Sequence, residues 1–253
     1  MTRPLISVVT PAYRAGPFIG KMIQSMLDQT YPDWELIIVD DGSDDNQCEV
    51  VEDFLGKDSR ITLHRSPHDC NSVAFNLGLS FARGEYIACQ EADDWSEPTR
   101  FERQIDELER VGADLVSCLM VRRRGRVVIR GRDVGGTGCV PEEFCSAKYT
   151  KGPAYGTIVA KRRVYDKVGG LSKYCEDHIT YCDDSEWIFR VLSVGDPPFK
   201  WAHVHDELYN YRTHSGQMSR IHRTQLAKDH SVFRAKYAPQ ILARLCREKK
   251  GGR

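Results

Sequence analysis

Short apolar runs alternate with amphipathic segments through the first 120 residues of the chain. Residues 5–10 form a run rich in β-branched side chains, and the segment after Gly16-Pro17 repeats apolar residues on one helical face. Residues 34–39 are apolar almost throughout, which is typical of a strand covered on both sides. Strands separated by helices of ten or more residues favour βαβ units and a parallel sheet.

The same pattern predicts the remaining elements, with a change of character after residue 121. Further strands are predicted at residues 61–63, 85–90, 114–121 and 207–212. Helices are predicted around residues 50–54, 73–81, 101–108, 183–192 and 224–247. Residues 122–132 carry six arginines and predict a hairpin, and residues 135–141 predict an irregular loop. We therefore expect one α/β domain with two lobes and a mostly parallel central sheet flanked by helices.

Composition and charge exclude several classes of protein. The 253 residues contain 36 Lys and Arg and 36 Asp and Glu, so the chain lacks the basic excess of a duplex-binding protein and no nucleic-acid partner is expected. Hydrophobic residues make up 41%, which is ordinary for a globular domain. No window approaches eighteen apolar residues and the N-terminus lacks a small-residue cleavage site, so neither a spanning helix nor a signal peptide is expected.

Missing motifs narrow the chemistry further. The nine cysteines include no C-x2-C pair, which argues against a zinc site and favours reduced thiols in a cytoplasmic compartment. No G-x-G-x-x-G follows the first strand and no G-x4-G-K-[ST] occurs, which disfavours a dinucleotide dehydrogenase and a P-loop NTPase.

Polar or acidic clusters follow three of the predicted strands, at residues 10–13 (TPAY), 40–43 (DDGS) and 91–94 (EADD). The carboxyl ends of parallel strands form one crevice, so these clusters should converge. Carboxylates packed together repel one another and call for a counter-charge. A Mg²⁺ or Mn²⁺ ion can supply this counter-charge, and such an ion prefers one or two carboxylates plus substrate phosphates as ligands. The clusters therefore point to a nucleotide diphosphate as the substrate.

Four segments carry a resemblance to a known family. The opening ISVVTPAYRAGPFIGKMIQSMLDQTYPDWELIIVDDGSDD resembles that of a family 2 glycosyltransferase with the GT-A fold. The likeness continues through NSVAFNLGLSFARGEYIACQEADDW, KVGGLSKYCEDHITYCDDSEWIFRVL and ELYNYRTHSGQMS. It implies a nucleotide-sugar-binding half at residues 1–95, an acceptor half at 96–220, and a C-terminal helix with a basic tail at 221–253.

The resemblance implies a set of nucleotide contacts. The segment that cradles the base is matched by Pro11, Ala12 and Tyr13, with Tyr13 as the stacking face. Asp40 matches the carboxylate that accepts from the base ring, which favours uridine or a related pyrimidine. Asn76 matches the end of the family's A-R-N run, although Phe75 replaces its Arg.

The resemblance also implies a metal site. Residues 91–93 match the D-x-D motif with Glu91 in place of its first Asp, so Asp93 is the expected ligand to the cation and the diphosphate. Glu91 is a weaker candidate. His214 matches a His that completes the metal shell or touches the diphosphate, but an ordinary surface or core His is the alternative. Asp94 is the second choice for the cation and, with Trp95, a candidate contact to the sugar or acceptor.

Residues 183–187 match the acidic motif of the family's acceptor-side helix. Asp184 matches the catalytic base. Asp183, three residues before Glu186, predicts a capping box. Asp183 and Trp187 are further candidates for contact with the acceptor, although Trp187 also lies on the apolar face of the helix.

Together these features predict an inverting, metal-dependent transfer from a UDP-sugar to a hydroxyl of a glycan or glycolipid. A polyprenyl-phosphate glycosyl synthase and a catalytically idle nucleotide-sugar or glycan-binding module are the alternatives. The six arginines either steer an anionic acceptor or form a solvated hairpin. The basic C-terminal tail allows peripheral membrane contact, against core packing of its helix.

Overall fold

The computed structural model describes residues 4–125, 127–129, 153–175, 178–179, 183–195, 198–218 and 222–251. The irregular loop predicted at residues 135–141 lies outside this part of the chain, as do residues 126 and 130–132 of the predicted arginine-rich hairpin.

The elements follow the predicted alternation through the first 90 residues, and the short elements at residues 95–96, 162–168, 174–175 and 178–179 are not among those predicted. The strands are β1 (Ile6–Ala12), β2 (Trp34–Asp41), β3 (Ile61–Ser66), β4 (Tyr86–Cys89), β5 (Trp95–Ser96), β6 (Leu115–Arg124), β7 (Val127–Ile129), β8 (Val159–Lys161), β9 (Tyr174–Cys175), β10 (His178–Ile179) and β11 (Trp201–Arg212). The helices are α1 (Gly16–Leu27), α2 (Gln47–Leu55), α3 (Asn71–Phe81), α4 (Arg100–Val111), α5 (Arg162–Val168), α6 (Asp183–Ser193) and α7 (Arg223–Gly251). A single 3-10 turn, Tyr155–Thr157, precedes β8.

One sheet runs through the described part of both predicted halves, in the order β3-β2-β1-β4-β8-β6-β11-β5, with β7 paired to β6. The first four strands are parallel, as the βαβ pattern predicts, and β6 and β11 are also parallel. The three-residue strand β8, which the sequence analysis does not predict, lies antiparallel between β4 and β6. It joins the two parallel portions into one mixed sheet.

Strand β1 continues beyond the predicted end at Pro11. Pro11 pairs with Val39 of β2, whereas the pairing of β1 with β4 stops at Val9. Proline has no N–H to donate, so it suits a position where one neighbouring strand has already ended. The strand therefore carries Ala12 and the following loop out to the edge of the sheet.

Two apolar layers cover the sheet. One packs α1, α2 and α4 against one face, and the other packs α6 and α7 with the β8 region against the opposite face. Successive residues of β2 enter opposite layers, since Leu36 and Ile38 join the first while Ile37 and Val39 meet α3. The apolar run at residues 34–39 is thus covered on both sides, as predicted.

The terminal helix α7 packs into this fold. Phe233, Tyr237 and Ile241 are buried in the second layer, so the apolar face of the helix serves the core. Among the described residues no helix is both long and apolar enough to cross a bilayer. Membrane contact through the basic tail stays a prediction, as do the cytoplasmic localisation and the residue bounds of the two halves.

Candidate active site

The loops after β1 and β2 are joined by hydrogen bonds. The backbone N–H of Ala15 donates to Gln47 Oε1 at 2.9 Å, and that of Gly16 donates to Asp45 Oδ2 at 2.9 Å. The N–H of Arg14, a residue with φ of 51°, donates to Ser43 Oγ at 3.0 Å. The first two polar clusters of the sequence therefore converge at the carboxyl edge of the sheet.

Two buried carboxylates lie beneath these loops, and each is hydrogen-bonded within the protein. Asp40 is 4% exposed, and its Oδ1 accepts from Gln47 Nε2 at 2.8 Å and from the N–H of Ser43 at 3.1 Å. Asp41 accepts from the N–H of Asp69 and lies 3.0 Å from His68 Nδ1. Asp41 thus fixes the loop before α3, while Asp40 faces the loop that carries Tyr13.

Tyr13 presents an aromatic face, as expected of a base-stacking residue. Its side chain is 39% exposed, and its ring lies 4.0 Å from that of His68 at an interplanar angle of 12°. Rings at this separation are in direct contact. Stacking of a nucleobase on the Tyr13 ring stays a prediction.

Asn76, expected to contact the nucleotide, has a different partner. Its Nδ2 donates to the carbonyl oxygen of Leu171 at 2.8 Å, and its Oδ1 accepts from the N–H of Leu171 at 2.8 Å. Phe75, in the place of the family's Arg, is fully buried in the second apolar layer. Both side chains hold α3 in the fold, Asn76 as a clamp on Leu171, and the nucleotide contact expected of Asn76 stays a prediction.

A buried arginine anchors the acidic turn after β4. Arg100 of α4 donates to Gln90 Oε1 at 3.0 Å, to Ser96 Oγ at 2.9 Å and to the carbonyl oxygen of Gly156 at 2.6 Å. These bonds fix both ends of the segment from 90 to 96. The acidic residues between them are therefore held by the core.

Asp93 and His214, both expected to bind a cation, are in direct contact. Asp93 Oδ2 lies 2.8 Å from His214 Nε2, and the His214 ring packs at 4.6 Å from that of Phe18. Within the described residues no three His, Cys, Asp or Glu side chains are grouped closely enough to hold a metal ion alone. One carboxylate and one imidazole fit a cation whose remaining ligands are donor phosphate oxygens and water.

Asp94 and Trp95, expected near the sugar or acceptor, are engaged elsewhere. Asp94 is 1% exposed, and its Oδ1 accepts from the N–H of Arg212 at 2.7 Å. The Trp95 ring has Lys21 Nζ at 3.3 Å and the Arg212 guanidinium at 4.9 Å from its centroid. Cations contact the Trp95 ring and Asp94 is buried, and the contact of either residue with the sugar or acceptor stays a prediction.

Carboxylates concentrate around Glu91. Burial raises the pKa of Glu91 to about 8, and the negative charges of Asp93, Asp183 and Asp184 add to this rise. Burial and the charge of Asp184 raise the pKa of Asp183 to about 7. Hydrogen bonds to Asp183, including one from Asn71, lower this pKa and oppose part of the rise. The β4 turn and the start of α6 therefore meet in one electronegative cluster.

The start of α6 differs from the predicted capping box. Asp183 Oδ1 accepts from the N–H of Asp184 at 3.0 Å, whereas the Glu186 carboxylate accepts from Ser172 and from Arg190 one turn further along α6, and among the described residues it closes no capping box. Trp187 is 0% exposed and donates from its ring to the carbonyl oxygen of Gly169 at 3.0 Å. Trp187 is thus a core residue, and half-buried Asp184 is the more accessible acid of the first turn.

Three side chains near the cleft are missing from the sequence predictions. These are Gln47, which binds Asp40, His68, which stacks on Tyr13, and Asn71, which binds Asp183. His68 and Asn71 flank the start of α3, directly after β3. The rule that strand ends converge could have indicated both, because β3 lies next to β2 in a parallel sheet.

Comparison with known proteins identifies relatives of this architecture. The profile of the family "Glycosyl transferase family 2" matches residues 7–169. Hyaluronan synthase of Pasteurella multocida is 36% identical over 222 residues, which cover 85% of this chain and 21% of the synthase. The chain spans between 21% and 43% of the length of six curated relatives that it matches.

Two solved structures share the fold at low sequence identity. S. aureus TarS 1-349 in complex with UDP-GlcNAc has a TM-score of 0.62 at 17% identity, covering 84% of this chain and 59% of TarS. The mannosyltransferase PcManGT of Pyrobaculum calidifontis, in complex with GDP-Man and Mn²⁺, has a TM-score of 0.64 at 18% identity. That alignment covers 100% of this chain and 77% of PcManGT. The expected GT-A fold is confirmed.

Proposed function

The chain belongs to glycosyl transferase family 2, and from this premise we propose that it transfers a sugar from a UDP-linked donor to a hydroxyl of a glycan or glycolipid. The observation that carries the proposal is the convergence of the Asp93–His214 pair with the carboxylates of Glu91 and Asp184. The Tyr13–Asp40 pocket supports a pyrimidine base. TarS, of the same fold, binds UDP-GlcNAc, whereas PcManGT binds GDP-Man.

The reaction we propose inverts the anomeric carbon. Asp184 deprotonates the acceptor hydroxyl, whose oxygen then attacks the anomeric carbon from the face opposite the nucleotide. The bond from that carbon to the diphosphate breaks, and UDP leaves. Asp93 and His214 would hold a Mn²⁺ or Mg²⁺ ion, which supplies stabilisation of the negative charge on the leaving diphosphate.

Release of UDP from a panel of UDP-sugars in the presence of Mn²⁺ tests this proposal, with water as the acceptor and GDP-mannose for comparison. We expect one UDP-sugar to be hydrolysed faster by the wild type than by Asp184→Asn. Thermal stabilisation by a UDP-sugar without any UDP release would instead identify a binding module. Hydrolysis of GDP-mannose but of no UDP-sugar would contradict the proposal that the donor carries uridine.

A further inference from the structure

The contact between α6 and α7 contains a buried ionic network. Tyr237 of α7 donates its hydroxyl hydrogen bond to Glu186 Oε1 at 2.5 Å, and both side chains are buried. Glu186 Oε2 accepts from Arg190 Nη2 at 2.8 Å and from Ser172 Oγ at 3.0 Å. A single carboxylate thus links the terminal helix, α6 and the segment before β9.

Arg190 extends this network to the loop after α5. Its guanidinium donates to the carbonyl oxygen of Gly170 at 2.8 Å and to that of Val168. The Asn76 clamp on Leu171 holds the next residue of the same loop. Hydrogen bonds to the continuous segment 168–172 therefore link α6 to α3 and α5, and Tyr237 links α6 directly to α7.

A second contact from α7 lies at the start of α6. His230 Nε2 is 3.2 Å from Ser185 Oγ, and Tyr237 stands seven residues further along α7, on the same helical face. His230 and Tyr237 therefore meet two consecutive residues, Ser185 and Glu186, that directly follow Asp184.

We propose that Tyr237 and His230 are positioning residues, which fix the first turn of α6 so that Asp184 points at the acceptor hydroxyl. This inference rests on the proposed function, because it concerns the base assigned there. A base must be held within a fraction of an ångström of its productive position, and a shift of about 1 Å can cost roughly 10²-fold in rate. Both residues lie beyond residues 7–169, which the family profile matches.

The test compares Tyr237→Phe with Tyr86→Phe. Each variant loses one hydrogen bond from a tyrosine to a glutamate, since Tyr86 donates to Glu109 on the other face of the sheet. We expect Tyr237→Phe to lower kcat of UDP release by roughly tenfold, within the range that misplacement of a catalytic group produces, while its KM for the donor and its Kd for UDP stay unchanged. Tyr86→Phe should keep the kcat of the wild type.

An equal loss of kcat in both variants, or none in Tyr237→Phe, would overturn the proposal. His230→Gln should lower kcat in the same way, and combining it with Tyr237→Phe should give less than the product of the two effects, because both act through the same turn.

If the wild type releases no UDP from any donor, the proposed function is refuted. Amide hydrogen exchange then still tests whether Tyr237 holds α6 in position. Faster exchange across Asp183–Ser193 in Tyr237→Phe than in Tyr86→Phe would support the positioning of α6. Equal exchange in the two variants would contradict it.

Discussion

The two sides of the cleft treat their carboxylates in opposite ways. On the nucleotide side, formed by the loops after β1 and β2, Asp40 and Asp41 each accept hydrogen bonds from the protein. Hydrogen bonds also join these two loops to each other. On the transfer side, burial and nearby negative charge raise the pKa of Glu91 to about 8 and that of Asp183 to about 7. The carboxylates of the nucleotide side have hydrogen-bond donors within the protein, whereas those of the transfer side carry more negative charge than the surrounding donors neutralise.

This difference indicates which parts of catalysis the protein supplies alone. A buried carboxylate with good hydrogen bonds is stable and rigid, so under the proposed function the nucleotide side reads a base without an added ion. Repelling carboxylates require a proton or a cation. The transfer side should therefore be completed by a divalent ion that arrives with the donor diphosphate.

The largest effect is expected on removing that ion. Asp93→Ala should lose all measurable UDP release even at saturating Mn²⁺, because the cation then lacks its carboxylate ligand. EDTA should do the same to the wild type, with Mn²⁺ or Mg²⁺ restoring activity. Asp206→Ala, which loses a surface ion pair with Arg103, is the control and should stay active. Full activity of the wild type in EDTA would remove the cation from the transfer side.

The base should give the next largest effect. Asp184→Asn keeps the shape of the side chain but cannot take a proton, so kcat should fall by roughly 10²- to 10⁴-fold. UDP affinity, measured by calorimetry, should not change. Asp183→Asn should retain much of the activity. If Asp183→Asn proves the slower enzyme, the acidic motif is displaced by one residue and Asp183 is the base.

A smaller effect is expected on the nucleotide side. Asp40→Ala should weaken UDP binding by about 1–3 kcal/mol, the cost of leaving a buried hydrogen-bond partner unpaired. Titration calorimetry measures this directly. Asp58→Ala, which removes a carboxylate paired with Arg60 away from the cleft, should bind UDP normally. Unchanged affinity in Asp40→Ala would take Asp40 out of the base pocket.

The smallest effect concerns stability and pH. Because the pKa of Asp183 is raised in the folded state, the fold holds a proton that the unfolded chain releases, and stability falls as the pH rises through about 7. Asp183→Asn carries no charge and so removes this loss of stability. In EDTA at pH 8.5 its Tm should lie about 2–4 °C above that of the wild type, which is the shift that roughly 1 kcal/mol produces in a chain of this length.

The difference in Tm between Asp183→Asn and the wild type should shrink as the pH approaches 5. His203 does not disturb the upper part of this range, because burial lowers its pKa to about 4 and it is neutral there. A gap in Tm that stays constant from pH 6 to 8.5 would show that charge at residue 183 is not the cause.

The order of the longer elements and the convergence of the loops after β1 and β2 could be predicted from the sequence, because both follow from local periodicity and parallel topology. Asp93 and His214 are 121 residues apart and were paired through the family resemblance. Strand β8 has only three residues, too few for a periodic signal, and so escaped prediction.

The contacts that the sequence does not reveal have a common physical origin. Asn76, Asp94 and Trp187 have residue types that suit a binding site, but each is held by a partner distant in sequence, at Leu171, Arg212 and Gly169. Periodicity does not reveal which partner a polar group finds across the fold. Glu186, whose spacing from Asp183 suits a capping box, likewise has a distant partner in Tyr237, in addition to Arg190 one turn further along α6.

Titration of uridine and UDP into the wild type, each with Mn²⁺ and with EDTA, tests the contrast between the two sides most directly. The account predicts that uridine binds equally well in both conditions, since the protein alone forms the base pocket. UDP should bind more tightly than uridine only when Mn²⁺ is present. UDP affinity that is the same in EDTA as in Mn²⁺ would contradict the claim that a cation completes the transfer side.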